Sequence, residues 1–463
     1  MSNSTDQLGQ FAAELTYEAL PADVVAHAKL CLLDTVGCAV YGATLEWSRI
    51  LQKTVSDLNP DGPSAIWGTD RTSSSADAAL ANGSAVHAFE LDDLHQRSIL
   101  HPGSVVVPAA MAVAEQNGKE SGTSLLTAIV AGYEVGARVG MSVGAAHLLQ
   151  GWHPTGTHGT FAATAAAGSI LGLSPGQMAN ALGIAGSQSG GLMAAQFEAM
   201  VKRFHAGRAA QSGVYAASLA GNGYTGIADV FENEYGGYLG TVSPTHDASA
   251  LVAGLGTTWE TLVVGFKPYS TNGSCHPALD ALFDLRKQDD FDVADFDHVD
   301  IFVSSATKEH VGWDYVPDSV TTAQMNLPYI FSVALVDGDA FVEQFSEERI
   351  ADPVLVELSR RVNVLIDPEI DAQGDSHRHF TRMEIHLVDG RVLADSRKYG
   401  RGNVNLPLTV AEVEEKYFKL VAGSFSRQHA QHVRRLVDDL DGATTVKALV
   451  SSLTSSACST CER

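Results

Sequence analysis

Charge is what this sequence is shortest of. Only 18% of its 463 residues are Asp, Glu, Lys or Arg, and none of these lies between Val139 and Phe197. Basic residues are the scarcer sign, 30 Lys and Arg against 54 Asp and Glu, for a net charge of −24. Nonspecific nucleic-acid binding and docking on an anionic membrane both need a basic face, so neither partner is expected. The five cysteines, Cys31, Cys38, Cys275, Cys458 and Cys461, are an odd and scattered set that fits reduced thiols rather than a disulfide framework. The pair Cys458 and Cys461 stands alone on a Ser-rich tail, without the second pair that a zinc site needs. Long unbroken hydrophobic runs are missing too. Gln, Ser, His, Thr and Gly punctuate the neutral stretch, and Pro154 and Pro175 break it, so it reads as buried helical core rather than membrane span. The N-terminal stretch MSNSTDQLGQFAAELTYEAL has neither a basic n-region nor an apolar h-region, so it does not read as a signal peptide, and a cytoplasmic location is expected. No P-loop, GxGxxG, GxSxG or HExxH pattern stands in a convincing context, which lowers the nucleotide, hydrolase and zinc-protease readings.

What the chain does have is small residues and helical periodicity. Residues 5–58 read as three helices, with Leu30, Leu33, Val36 and Val40 at helical spacing after Pro21. A serine-capped helix follows from about 75, and its end carries Glu90, Asp92 and Asp93. Further helices are expected at about 104–117, 121–142, 159–172, 175–187 and 206–221. After about residue 260 the texture changes. Residues 298–304, 362–366 and 382–396 are β-rich, and Asp389-Gly390 is a hairpin signal. Helices return where Thr409 and Glu412 form a capping box. The expected fold is mainly α: an all-helical domain over 1–262, joined by C-terminal helices 405–463, plus a smaller α+β domain over 263–404.

Four segments put polar groups where a structural account is strained. They are FELDDLHQRSILHPGS with Glu90, Asp92, Asp93, His95 and His101; GWHPTGTHGTF with His153 and His158; MVKRFHAGRAAQSG with Lys202, Arg203, His205 and Arg208; and GFKPYSTNGSCHP with Lys267 and His276. The second segment is read as a loop ending where a helix begins, so that free backbone N–H groups could hold a carboxylate. Each segment also has a bland reading, as a solvated helix end, a cap or an exposed face. DSHRH at 375–379 has metal-like spacing but no further ligand nearby, and is read as a surface turn. Taken together, the segments fit one pocket for a small anionic di- or polycarboxylate. Lysines pair with carboxylates and a histidine exchanges protons. The same cations would stabilise charge developing beside a carboxylate, so neither metal nor cofactor is required.

The four segments, read through HAFELDDLHQRSILHPGSVVVPAAMAVAE, GWHPTGTHGTFAATAAAGSILGLSPGQMANALGIAGSQSGG, VKRFHAGRAAQSGVYAASLAGNGYTG and GFKPYSTNGSCHPALDA, resemble the MmgE/PrpD family over nearly the whole chain. That family includes 2-methylcitrate dehydratase, cis-aconitate decarboxylase and iminodisuccinate epimerase. The resemblance implies a large helical domain with a smaller α+β lid, a homodimer, and a cofactor-free site in the cleft. It places the family's acidic position on Glu90, its acidic pair on Asp92 and Asp93, and its catalytic candidates on His101, His153, Lys202, Lys267 and, in the lid, Tyr315. His158, Arg203, His205 and Arg208 are the further binding candidates. Glu90 departs from the Asp that dehydratase and decarboxylase members carry, and Leu94 from the Thr of decarboxylase members, so epimerisation of iminodisuccinate is the expected reaction and a dehydratase or decarboxylase the alternative. Order along the chain does not say which group is the base.

Overall fold

The computed structural model describes residues 3–197, 199–374 and 377–454, so Cys458, Cys461 and the first two residues of DSHRH lie outside the described residues. The chain is mainly α, with a large helical body and a smaller α+β body. The helical body contains α1 (Ser4–Glu14), α2 (Ala22–Gly42), α3 (Glu46–Leu58), α4 (Ser75–Val86), α5 (Gly103–Asn117), α6 (Gly122–Leu149), α7 (Pro154–Ile170), α8 (Pro175–Gly186) and α9 (Val201–Gly221). α2 is long and apolar enough to cross a membrane, and most of it is buried against its neighbours.

The neutral stretch is the centre of this body. α7 packs against α5, α6, α8 and α9, and every residue from His153 to Gly168 is buried. A charge there would be stripped of water without a partner, which accounts for the absence of Asp, Glu, Lys and Arg. Small side chains let the helices approach closely. A Cβ on Gly207 of α9 would stand 2.1 Å from the Leu80 carbonyl of α4. Gly207→Ala should therefore cost about 1–3 kcal/mol by forcing the two helices apart, read as a lower denaturant midpoint with unchanged slope.

α7 and α9 both begin about five residues earlier than the sequence pattern predicts. Pro154 occupies the first turn of α7, where its missing N–H costs nothing, and His153 is the residue before it. The expected loop at 154–158 is therefore helix. α9 begins at Val201, which puts two cations, Lys202 and Arg203, in a first turn whose dipole disfavours them.

The smaller body holds a four-stranded mixed sheet, in the order Val362–Ile366, Phe296–Val303, Thr381–Leu387, Val392–Arg397. The first pair is parallel and the others antiparallel, with the last pair joined at the expected Asp389-Gly390 turn, where Gly390 takes a φ of 88°. Its inner face buries Val299, Ile301, Met383 and Ile385, and helices His276–Asp289 and Leu327–Asp337 pack against the sheet. The helix Val410–Val421, started by the Thr409–Glu412 capping box, returns to the helical body. It packs on α2, and Lys416 pairs with Asp34 at 2.6 Å.

Candidate functional site

The site is assembled where α4 runs out. A single 3-10 turn, His87–Phe89, ends at Glu90, which adopts a left-handed φ of 55°. That conformation is uncommon for a residue with a Cβ and needs support from its surroundings. The support is electrostatic. The buried Glu90 carboxylate takes ion pairs from Lys202 and Arg203 on one oxygen and from Lys267 at 3.1 Å on the other. Burial works to raise its pKa, but the three cations overcome it and hold the carboxyl well below the usual range. Lys202 is itself lowered to about 8 by burial, against the pull of Glu90. Arg203 also donates to Gln324 at 2.9 Å, and Gln324 and Ser270 both donate to the Phe89 carbonyl. Lys267 reaches Glu90 because its strand, Val264–Gly265, pairs antiparallel with Leu94–His95.

Beside this cluster runs a file of histidines. The rings of His101 and His87 are 4.9 Å apart, those of His87 and His153 5.4 Å, and those of His153 and His205 5.2 Å. His87 Nδ1 meets Asp92 at 2.7 Å, and the other oxygen of Asp92 lies 3.3 Å from His101 Nδ1. Burial opposes ionisation of Asp92, but the two imidazoles prevail and keep it ionised. His87 is pushed down to about 4 by burial, and burial together with Lys202 holds His153 well below its ordinary value, so both rings are neutral near pH 7. His101 Nδ1 also lies 2.8 Å from the Asp93 carbonyl. A carbonyl only accepts, so that nitrogen carries the proton, and Nε2 is left toward the cavity that His101 lines. Asp93 is a brace. It accepts from Tyr133 at 2.6 Å and from the Gly103 amide at 2.9 Å, and burial raises it well above the carboxylate range.

The cavity, of about 350 Å³, lies between the two bodies. Lys267 and His101 line it from one side, and His310, Arg378 and His379 from the other. Among the described residues, two groups bring three metal-ligand atoms within 4.8 Å of one another: His87, Asp92 and His101 in the site, and His298, Asp300 and His386 on the sheet. In the first group the carboxylate is already engaged by both imidazoles.

The structure thus brings together Glu90, Asp92, Asp93, His101, His153, Lys202, Arg203, His205 and Lys267. Three expected residues lie elsewhere. His158 falls one turn inside α7, with no exposed surface, and meets Tyr238 at 3.1 Å and the His147 ring at 4.6 Å. Arg208 projects from the outer face of α9 and binds Gln211. Tyr315 packs its ring 4.7 Å from that of Tyr329 at a tilt of 33° and donates to the Ile350 carbonyl at 2.8 Å. His276, also singled out, is buried at the head of its helix with its ring edge on Tyr269. Sequence reasoning missed His87, Gln324 and Ser270. It also read Arg378 and His379 as a surface turn, whereas both face the cavity. The Asp92 spacing from His87, five residues across a helix end, was the one available signal.

The MmgE/PrpD N-terminal domain model matches residues 6–249 and the C-terminal domain model residues 269–442, so the latter includes the helix that returns to α2. The chain is 34% identical to the "cis-aconitate decarboxylase-like protein oryM" of Aspergillus oryzae, over 97% of each chain. It is 32% identical to a cis-aconitate decarboxylase of Aspergillus terreus, over 98% of this chain and 96% of that one. It is 28% identical to the human cis-aconitate decarboxylase, over 93% and 90%. These relatives carry the names of lyases, which favours that class over the epimerase expected from Glu90 and Leu94. The geometry shows why Glu90 discriminates so little: what the position supplies is a carboxylate shared by three cations, and an acidic side chain of either length has one. Matched by both domain models in order and aligned nearly end to end with these relatives, the chain belongs to the MmgE/PrpD family.

Proposed function

We propose that the chain is a cofactor-independent lyase that decarboxylates an unsaturated polycarboxylate of the cis-aconitate type. The choice of lyase is carried by the near full-length alignment with cis-aconitate decarboxylases, and the surplus of cations over Glu90 supplies the chemistry. One carboxylate faces three cations there, leaving positive charge for a polyanion entering beside Lys267. Loss of CO₂ from the allylic carboxylate leaves an electron pair that moves through the double bond to the carbon next to a second carboxylate. The dienediolate so formed carries its charge on oxygens beside Lys202 and Lys267, and stabilising that charge lowers the barrier. One proton delivered to that carbon completes methylenesuccinate. His101 is placed to deliver it, because it lines the cavity while Asp92 and the Asp93 carbonyl hold its Nδ1. His87, His153 and His205 hold the wall behind it without adding charge.

Lys202 is charged below about pH 8 and neutral above. Carbon dioxide release from cis-aconitate should therefore show kcat/KM falling as pH rises through about 8, and Lys202→Met should lack that limb. An alkaline limb that persists unchanged in Lys202→Met assigns it to another group. No CO₂ at any pH removes the decarboxylase reading.

A further inference from the structure

The sheet of the smaller body has a second face. Val299, Ile301, Met383 and Ile385 are buried on the inner one, so alternation along the strands turns His298, Asp300 and His386 to the other side. His298 and Asp300 stand two apart on Phe296–Val303, and His386 lies directly across from His298 on Thr381–Leu387. The two imidazole rings are 4.2 Å apart and within 5° of parallel. One ring nitrogen from each and one Asp300 oxygen lie within 4.8 Å of one another. All three side chains reach water, with His298 37%, Asp300 25% and His386 27% exposed.

In the cluster of His87, Asp92 and His101 the carboxylate is engaged by both imidazoles, whereas this one keeps ligand atoms in hand. Nε2 of His386 has no hydrogen-bond partner among the described residues. It lies 3.9 Å from Asp300 Oδ2, too far to hydrogen-bond, yet within the span that one zinc ion bridges with bonds of about 2.0–2.2 Å on either side. The other oxygen of Asp300 accepts from Asn363 Nδ2 at 2.8 Å. Asn363 is the residue paired with Asp300 on Val362–Ile366, so the carboxylate is fixed and Oδ2 is left over. His298 Nδ1 meets Asp297 Oδ2 at 2.9 Å. An ionised carboxylate only accepts, so Nδ1 carries the proton and Nε2 of the neutral ring keeps its lone pair. A carboxylate behind a ligating histidine, and a hydrogen bond on a ligating carboxylate, are the outer partners that orient metal ligands. Arg382, on the same face, is matched by Asp367 and Glu384.

We propose that His298, Asp300 and His386 form a binding site for a divalent metal ion of the zinc class, which clips the two central strands of the sheet together. Two imidazoles and one carboxylate suit Zn²⁺, whereas Mg²⁺ and Ca²⁺ call for oxygen ligands. Three protein ligands leave one tetrahedral position for water. The inference is independent of the reaction proposed above.

Zinc titrated into the full chain and followed by calorimetry tests it. The native chain should hold one Zn²⁺ more than His386→Ala or Asp300→Asn, and excess Mg²⁺ should not displace that ion. His101→Ala should keep it, because His101 belongs to the other cluster. Asp297→Asn and Asn363→Ala remove no ligand, and each should weaken binding of the same ion by about 10–100-fold. An ion that binds the folded chain stabilises it, so zinc should raise the denaturant midpoint of the native protein more than that of His386→Ala. Equal zinc content in the native chain and both ligand variants, loss of the ion in His101→Ala, or displacement by Mg²⁺ overturns the proposal. So does an affinity untouched by both Asp297→Asn and Asn363→Ala, or a midpoint that zinc shifts equally in the native chain and His386→Ala.

Discussion

Lys202→Met should lower kcat/KM for decarboxylation by about 10²–10³-fold, the loss expected when one preorganised donor to a developing oxyanion is removed, while leaving the protein folded. The separation of activity from stability follows from the count of charges. Glu90 retains Arg203 and Lys267 after the substitution, so no carboxylate is orphaned, and Met fills the space of the lysine stem. Burying Lys202 also disfavours its charged form, as its lowered pKa shows, so removing it relieves a desolvation cost. Denaturant unfolding beside steady-state kinetics checks both halves. A loss of stability matching the loss of activity would make Lys202 a structural residue.

Glu90→Gln should do the reverse and damage the fold as well as the reaction. It leaves Lys202, Arg203 and Lys267 close together with their shared counter-charge gone, and breaking such a buried pair typically costs about 3–5 kcal/mol. The pH dependence has a defined sign. A buried lysine whose folded pKa lies below its unfolded value destabilises the fold as pH falls, and the effect is complete once pH passes below the folded pKa. In the native protein that happens near pH 8. Without Glu90 the pKa of Lys202 drops further, so the stability deficit of Glu90→Gln relative to the native protein should widen as pH is lowered below about 8. Glu90→Asp keeps the charge and should recover most of the loss. A deficit independent of pH would mean that the cation cluster is held by something other than Glu90.

The same scarcity of charge made the site legible. A lysine and an arginine that break a long neutral stretch stand out, and so does an acidic run at the end of an apolar helix, although Glu90 and Lys267 are 177 residues apart. The sheet was readable because its strands alternate and its hairpin carries Asp-Gly. What escaped was set by tertiary context. Gly, Thr and His at 156–160 look like loop residues, yet in a helix packed on all sides small and hydroxylated side chains are what fit, so His158 went to the core. Tyr315 is the right residue type in the lid, but its hydroxyl is engaged by Ile350. His87 offered only its spacing from Asp92 and His379 only the local pattern of DSHRH, which reads as a surface turn, since burial and approach to the cavity arise from the meeting of the two bodies. Choosing the epimerase over the lyase placed the weight of a reaction on Glu90 and Leu94, one of which conserves the chemistry of its position while the other only reshapes the cavity wall.

The central claim is that cations gathered on Glu90 draw carbon dioxide from an unsaturated polycarboxylate and return one proton to carbon. A ¹³C and ²H NMR time course with cis-aconitate in D₂O tests it most directly. The account predicts CO₂ release in step with methylenesuccinate carrying a single deuterium at its saturated CH₂, the carbon beside a carboxylate, and loss of that signal in Lys202→Met. Hydration of cis-aconitate without CO₂, or deuterium entering iminodisuccinate with no carbon lost from either acid, would contradict it.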